Sequence, residues 1–259
     1  HVYSLSKTIT STAIGLLYDD KKIDINDRVA DILGVAINKN NKEATLKVHN
    51  LLTMSAGHKE CSMPDIVKSS DGVKAFFLKE FEYMPGTDFT YDTGASYILS
   101  AIVTKITGKT MLDYLQEKLM VPLGITDCSW KTAADKRINQ GGVGLIISAE
   151  SLAKIALMYS NNGVYNGKRI LSERWIELAT KKQVDNVFNG TKNWRVGYGY
   201  QIWMNDCGGY RGDGAFGQYM IILPEKGITC VALSESCNME KQMDDVFEYL
   251  FNFEDDNEE

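Results

Sequence analysis

The sequence predicts an α+β fold: a mainly helical body, then an antiparallel sheet with a helix laid over it. Three observations carry this. Leu5, Ile9, Ala13, Leu16 and Leu17 form one apolar stripe at helical spacing. Beyond residue 195 the apolar period shortens to an alternation, as expected of strands. Pro224-Glu225-Lys226-Gly227 then separates two alternating runs as a hairpin connection.

The elements follow in order. The first helix stops where Asp19-Asp20-Lys21-Lys22 breaks the stripe, and residues 23–48 read as loops with one short helix. Residues 51–57 read as a helix ending at Gly57, a residue suited to the C-terminal cap. Met84-Pro85-Gly86-Thr87 is a turn leading to Phe89 and Tyr91. Residues 97–106 and 111–120 read as two helices parted by Gly108, and Gly141-Gly142-Val143-Gly144-Leu145 as a tightly packed joint. Ser148 caps a helix over 149–159, and Ser172 caps another starting at Glu173. Residues 198–203, 218–223 and 228–233 read as strands. Asn238 caps a last helix with Met239, Met243, Val246, Phe247 and Leu250 on one face.

At 259 residues, with 44% hydrophobic and 24% charged residues, the chain can bury a substantial core. A net charge of −6 disfavours nucleic acid as a partner, and no apolar run is long enough to span a bilayer. Five cysteines, an odd number without CxxC spacing, disfavour a disulfide framework or zinc site and fit reduced thiols. That leans toward the cytoplasm without fixing the compartment. Three scattered histidines offer no metal cluster, and no motif calls for an organic cofactor. The chain opens on His1, three residues before its candidate nucleophile, where a frayed end would hold a reactive group poorly. Native sequence upstream of His1 is therefore expected.

That nucleophile is Ser4, in Ser4-Leu5-Ser6-Lys7. Three-residue spacing on a helix puts a serine and a lysine on one face, where the amine can ease deprotonation of the hydroxyl. A serine in the first turn also has a backbone N–H outside the helical ladder, able to face an oxyanion. Ser151-Leu152-Ala153-Lys154 has the same spacing but lies inside an amphipathic helix, where it reads as ordinary helix surface. His58 could be imagined as a base for Ser55, but a histidine at a helix end reads as a surface cap.

Several segments together resemble the penicillin-recognising serine hydrolases, which include class C β-lactamases, DD-peptidases, esterases and 6-aminohexanoate-dimer hydrolases. Ser4-Leu5-Ser6-Lys7 and the helix after it resemble the family's first motif, and 51–58 (LLTMSAGH) its "LLTM-x-x-G" segment. Phe89-Thr90-Tyr91-Asp92-Thr93-Gly94 falls where the tyrosine motif belongs, and Gly142 to Leu145 resembles "GGxGL". Gly212-Asp213-Gly214-Ala215-Phe216-Gly217-Gln218 resembles the third, strand-borne motif. The resemblance runs in the family's order over nearly the whole chain. It implies a β-lactamase/transpeptidase-like fold with residues 1–18 as the nucleophile helix and 19–194 as a mainly helical insertion. Residues 195–253 would be the last strands and covering helix, and 254–259 a solvated acidic tail.

By this resemblance Ser4 is the acylated nucleophile, Lys7 its electropositive partner, and Tyr91 the proton shuttle, as phenolate or as neutral relay. The backbone N–H groups of Ser4 and Ala215 form the oxyanion hole, and Thr93, Asp92, Arg211, Gly214 and Gln218 contact substrate. Two departures bear on specificity. Thr93 stands where the family has asparagine, and the third motif lacks its cation, with Asp213 repelling a substrate carboxylate and Arg211 restoring some attraction. A small-molecule ester or amide is thus the expected substrate. The alternatives are a catalytically impaired binding or sensing module, or a β-lactamase or DD-peptidase. Tyr198, Tyr200, Trp203, Tyr210 and Phe216 either line an apolar substrate pocket or pack in the core.

Overall fold

The computed structural model describes residues 1–134, 136–186 and 192–255, with backbone only at 253–255. Ten helices are described: α1 (Ser6–Asp19), α2 (Val29–Leu33), α3 (Val48–Leu52), α4 (Met63–Lys68), α5 (Gly72–Leu78), α6 (Thr93–Thr107), α7 (Met111–Leu115), α8 (Ala149–Ser160), α9 (Glu173–Thr180) and α10 (Met239–Asp255). A four-stranded antiparallel sheet follows α9, in the order β5 (Trp203–Met204), β6 (Tyr210–Gly214), β7 (Gln218–Leu223), β8 (Ile228–Ala232). Two short hairpins, β1 (Ser129–Trp130) with β2 (Leu145–Ile146) and β3 (Val164–Tyr165) with β4 (Lys168–Arg169), lie within the helical region. No described helix is long and apolar enough to cross a membrane.

One apolar core joins the layers. Leu5, Ile9, Ala13 and Leu17 of the first stripe are fully buried, as are Ile98, Leu99 and Ile102 of α6 and Tyr219 to Ile222 of β7. α1 is buried almost all round: Thr10 Oγ1 donates to the Gly141 carbonyl at 2.7 Å, and Thr12 Oγ1 bonds the Tyr159 hydroxyl at 2.8 Å. Met243, Phe247 and Leu250 of α10 are buried, as their spacing predicts.

The structure departs from the expected elements where tertiary contacts override local pattern. The helix expected over 51–57 is α3 and ends at Leu52. Met54 and Gly57 take left-handed backbone (φ 57° and 110°), and the freed carbonyls serve neighbours. Met54 O accepts from Thr90 N at 2.8 Å and Gly57 O from Tyr83 N at 2.9 Å. Of the strand expected over 198–203 only Trp203 is in one, at the start of β5; residues 199–202 are a tight turn, closed by Gly199 N donating to Ile202 O at 2.8 Å, with Gln201 at φ 59°. Helices α4 and α5 carry no strong periodic signal and were not expected. The acidic tail is partly helical, since α10 runs through Asp255; residues 256–259 lie outside the described residues.

Candidate active site

Ser4 sits in a 3-10 turn (Tyr3–Leu5) that feeds directly into α1. Lys7, one turn further on, is 1% exposed. Its Nζ lies 3.0 Å from Ser4 Oγ and 2.9 Å from the Gly142 carbonyl. Burial pulls the Lys7 ammonium down to about 7, against the opposing charges of Cys61, Asp92 and Asp213. Tyr91 is the third member: Lys7 Nζ lies 4.8 Å from its ring centre, and its hydroxyl is hydrogen-bonded to Ser4. Burial pushes the Tyr91 phenol well above its ordinary range despite the hydrogen bonds to Ser4 and Trp203. Of the two expected roles, burial favours the neutral relay over the phenolate for Tyr91, as it favours the neutral amine of Lys7 over the ammonium.

Two glycine-bearing segments close on this turn. A side chain at Gly214 would meet the Val2 carbonyl at 2.2 Å and the Leu5 amide at 3.2 Å; one at Gly212 would meet Thr8 Oγ1 at 2.8 Å. β6 can run this close to the nucleophile turn only without side chains there. On the other flank, Leu145 O accepts from Val2 N at 3.1 Å, and Leu145 N donates to Ser6 Oγ at 3.3 Å. A Cβ at Gly141 would lie 2.2 Å from the Ser96 carbonyl, so this loop is pressed onto α6.

Of the other expected contact residues, Thr93 opens α6 beside the site, its methyl facing Gly142. Its half-buried hydroxyl makes no hydrogen bond among the described residues. Three others are buried in hydrogen-bond networks of the protein itself. Asp92 is 1% exposed and caps α6 by accepting from Gly94 N at 2.8 Å. It also accepts from Ser62 N and from Ser62 Oγ, and its Oδ2 lies 3.0 Å from His58 Nδ1. Burial acts to raise the Asp92 carboxyl, but His58 and Ser62 outweigh it and hold it below the usual range. Arg211 is 1% exposed and engaged by Asp213 (3.0 Å), Asn205 Oδ1 (2.8 Å), and the Met204 and Asn193 carbonyls. Gln218 is spent on the β6–β7 turn, its Nε2 donating to the carbonyls of Ala215 and Phe216 at 3.2 Å each. All three are buried, with these groups committed to protein partners.

Asp213 is likewise not a bare charge. Its Oδ2 accepts from Arg211 Nε and from Trp194 Nε1 at 2.8 Å, and burial raises its carboxyl against those partners. His58, expected at the surface, is 1% exposed and packed between Phe76 and Phe81, at 4.6 and 4.4 Å. In the second serine–lysine pair, Ser151 Oγ bonds Asp127 and Lys154 Nζ bonds the Gly124 carbonyl, so the two do not meet; Ser151 is buried rather than surface. Tyr198, Tyr200, Trp203 and Tyr210 are core residues, while Phe216 is 42% exposed.

Sequence reasoning missed two neighbours. The Gly142 carbonyl holds Lys7, and the glycine-rich run around it was the available signal. Half-buried Cys61 lies near Lys7 and Tyr91, and no local pattern marks it. Trp203, one of the aromatic residues singled out above, packs its ring 5.2 Å from Tyr91. A groove of about 980 Å³ between α2, α5 and α6, lined by Val35, Phe77, Leu78 and Lys105 among others, contains none of these residues. Volume without convergent chemistry does not displace the Ser4 cluster as the candidate site.

The fold and this cluster define a serine-hydrolase architecture. The chain belongs to the beta-lactamase family, whose model matches residues 1–250. It is 25% identical over 89% of its length to penicillin-binding protein 4 of Amycolatopsis lactamdurans, covering 70% of that protein. It is 24% identical over 52% of its length to protein flp of Staphylococcus aureus, of which it spans 28%. Among solved structures it is similar to a protein described as a 6-aminohexanoate-dimer hydrolase from Bacillus anthracis: TM-score 0.77, 21% identity, 96% of this chain and 70% of that one. A family VIII carboxylesterase superposes with TM-score 0.71 at 18% identity, over 91% of this chain and 77% of the other. At such identities these structures establish the shared β-lactamase/transpeptidase-like fold.

Proposed function

We propose that this chain is a serine hydrolase of esters or amides that works through an acyl-enzyme on Ser4. The observation that carries the reading is the buried contact of Lys7 Nζ with Ser4 Oγ, at 3.0 Å, by an amine brought down to about 7. A neutral Lys7 amine, anchored by donating to Gly142 O, accepts the Ser4 proton as Oγ attacks the carbonyl carbon. The oxyanion forms against the N–H groups of Ser4 and Ala215, each such donor typically worth about 3 kcal/mol of barrier. Tyr91, protonated and bonded to Ser4, gives its proton to the departing oxygen or nitrogen, and the Lys7 ammonium stabilises the phenolate left behind. Water then attacks the acyl carbon by the reverse proton path, and Ser4 is restored. No metal or organic cofactor enters these steps.

Substrate preference follows from what surrounds the site. Thr93 offers a hydroxyl but no amide, Gly212 no cation, and Arg211 is occupied, so no free cation in the third motif awaits a carboxylate. Esters and carboxylate-free amides fit this better than β-lactams or D-alanyl peptides. The second reading, a penicillin-acylated protein with slow release, is favoured by the likeness to penicillin-binding protein 4.

Intact mass after a fluorophosphonate probe, on this chain and on Ser4→Ala, tests the assignment, with turnover of p-nitrophenyl butyrate and acylation by a fluorescent penicillin in parallel. One adduct, lost in Ser4→Ala, with ester turnover is the expected result. A penicillin adduct without ester turnover would favour the second reading, and no adduct on folded protein would overturn both.

A further inference from the structure

We infer that Tyr3 and Phe216 form an aromatic clasp that sets the spacing of the two oxyanion donors; the inference rests on the Ser4 reading above. Tyr3 immediately precedes Ser4, and Phe216 immediately follows Ala215. Both take left-handed backbone, φ 45° and 63°, which is unfavourable for a bulky L-residue and free for glycine. Both rings are also unusually exposed, at 37% and 42%. Core burial therefore does not explain why aromatic residues occupy these two strained positions. What they share is each other: the ring centres lie 5.1 Å apart, tilted by 58°, within the range of favourable aromatic pairs.

The clasp joins two separately braced backbones. On one side Val2 N donates to Leu145 O, fixing the turn that carries Ser4. On the other, Gln218 Nε2 holds the Ala215 and Phe216 carbonyls, and Phe216 O accepts from Ser236 N at 3.1 Å. A Cβ at Gly214 would touch Val2 and Leu5, so the two segments also meet beneath the rings, through backbone alone. That seam has no side-chain interlock of its own at Gly214, and the ring pair supplies one directly beside both donors. Tyr3 and Phe216 are thus positioning residues: they touch no reacting atom and act through the Ser4 and Ala215 amides. Strain held at a site by surrounding contacts is the usual condition for such a role.

The test uses the full chain, measuring the rate of Ser4 labelling by the fluorophosphonate probe, and kcat and KM on p-nitrophenyl butyrate. Complete removal of one oxyanion donor costs roughly 10²–10³ in rate, so loosening one should cost about tenfold. Tyr3→Ala and Phe216→Ala should each lower kcat and labelling rate about tenfold with KM within about twofold. The double variant should be little worse than either single one, because both remove the same contact. Tyr3→Phe, which keeps the ring, should restore the rate. Thermal midpoints within about 4 °C of the parent would separate this from general destabilisation. Parent-like labelling and kcat in both alanine variants, or losses that simply multiply, would overturn the clasp while leaving the Ser4 reading intact. No Ser4-dependent labelling in the parent chain would overturn the Ser4 reading and the clasp with it.

Discussion

In the proposed mechanism, Lys7 and Tyr91 divide the proton chemistry by burial rather than by residue type. Enclosure disfavours the charged form of each, which lowers the amine and raises the phenol. The base must be deprotonated to act, so kcat/KM for an ester should climb about tenfold per pH unit below 7 and level off above it. A pH–rate profile with no inflection between about pH 6 and 8 would remove Lys7 from the base role. Lys7→Arg keeps a cation but cannot lose its proton. It should lower kcat/KM by at least about a hundredfold at every pH up to 9. Asp92, Arg211 and Gln218 show the limit of motif logic at this scale. Each stands beside a motif residue, yet each is used up on backbone and neighbouring side chains.

At the scale of elements, the site is held by the start of α6, the turn before α1 and the β6–β7 hairpin. Asp92 governs the first of these, capping α6 while holding Ser62 and His58. Asp92→Ala would leave His58 and the helix start without their acceptor in a buried place. Leaving a buried donor without its acceptor costs about 1–3 kcal/mol, measurable as a lowered urea midpoint. The sign of the pH effect follows from the shift. A carboxyl held below its unfolded value of about 3.9 contributes stability that is complete above that value and lost as pH falls toward the folded one. The stability gap between the parent and Asp92→Asn should therefore shrink below about pH 4; a gap unchanged down to pH 2.5 would contradict a carboxylate held ionised by its buried partners. α1 itself was legible from its stripe and α10 from its cap, Asn238 Oδ1 accepting from Lys241 N at 3.1 Å. The alternation at 198–203 misled because Tyr198, Tyr200 and Ile202 are buried from a turn, and only Trp203 from a strand.

Across the whole molecule, helices and sheet share one apolar core, with α1 at its centre and β7 buried along its length. Its four tryptophans sample different parts: Trp130 in β1, Trp175 in α9, Trp194 ahead of β5, and Trp203 in β5, all buried. A shared core predicts that tryptophan fluorescence and far-UV circular dichroism report one coincident transition in urea. Two separated transitions would show that the helical region and the sheet unfold independently. The same sharing explains why the family's motifs, scattered from Ser4 to Gln218, converge. The turn before α1 delivers Ser4 and α1 delivers Lys7, the approach to α6 delivers Tyr91, and β6 leads into Ala215, all packed on that core.

The sequence by itself determined the α+β class, the caps at Ser148 and Ser172, the β7–β8 hairpin, and the ordered motifs that carry the family. These are written in local periodicity, turn chemistry and short spacings. Tertiary structure alone decided which groups near the motifs are open to a ligand, which proton is mobile, and that Tyr3 meets Phe216. Those properties depend on burial and on contacts between residues as many as 213 apart in sequence. No local pattern encodes them, because desolvation and hydrogen-bond satisfaction exist only once the chain has packed.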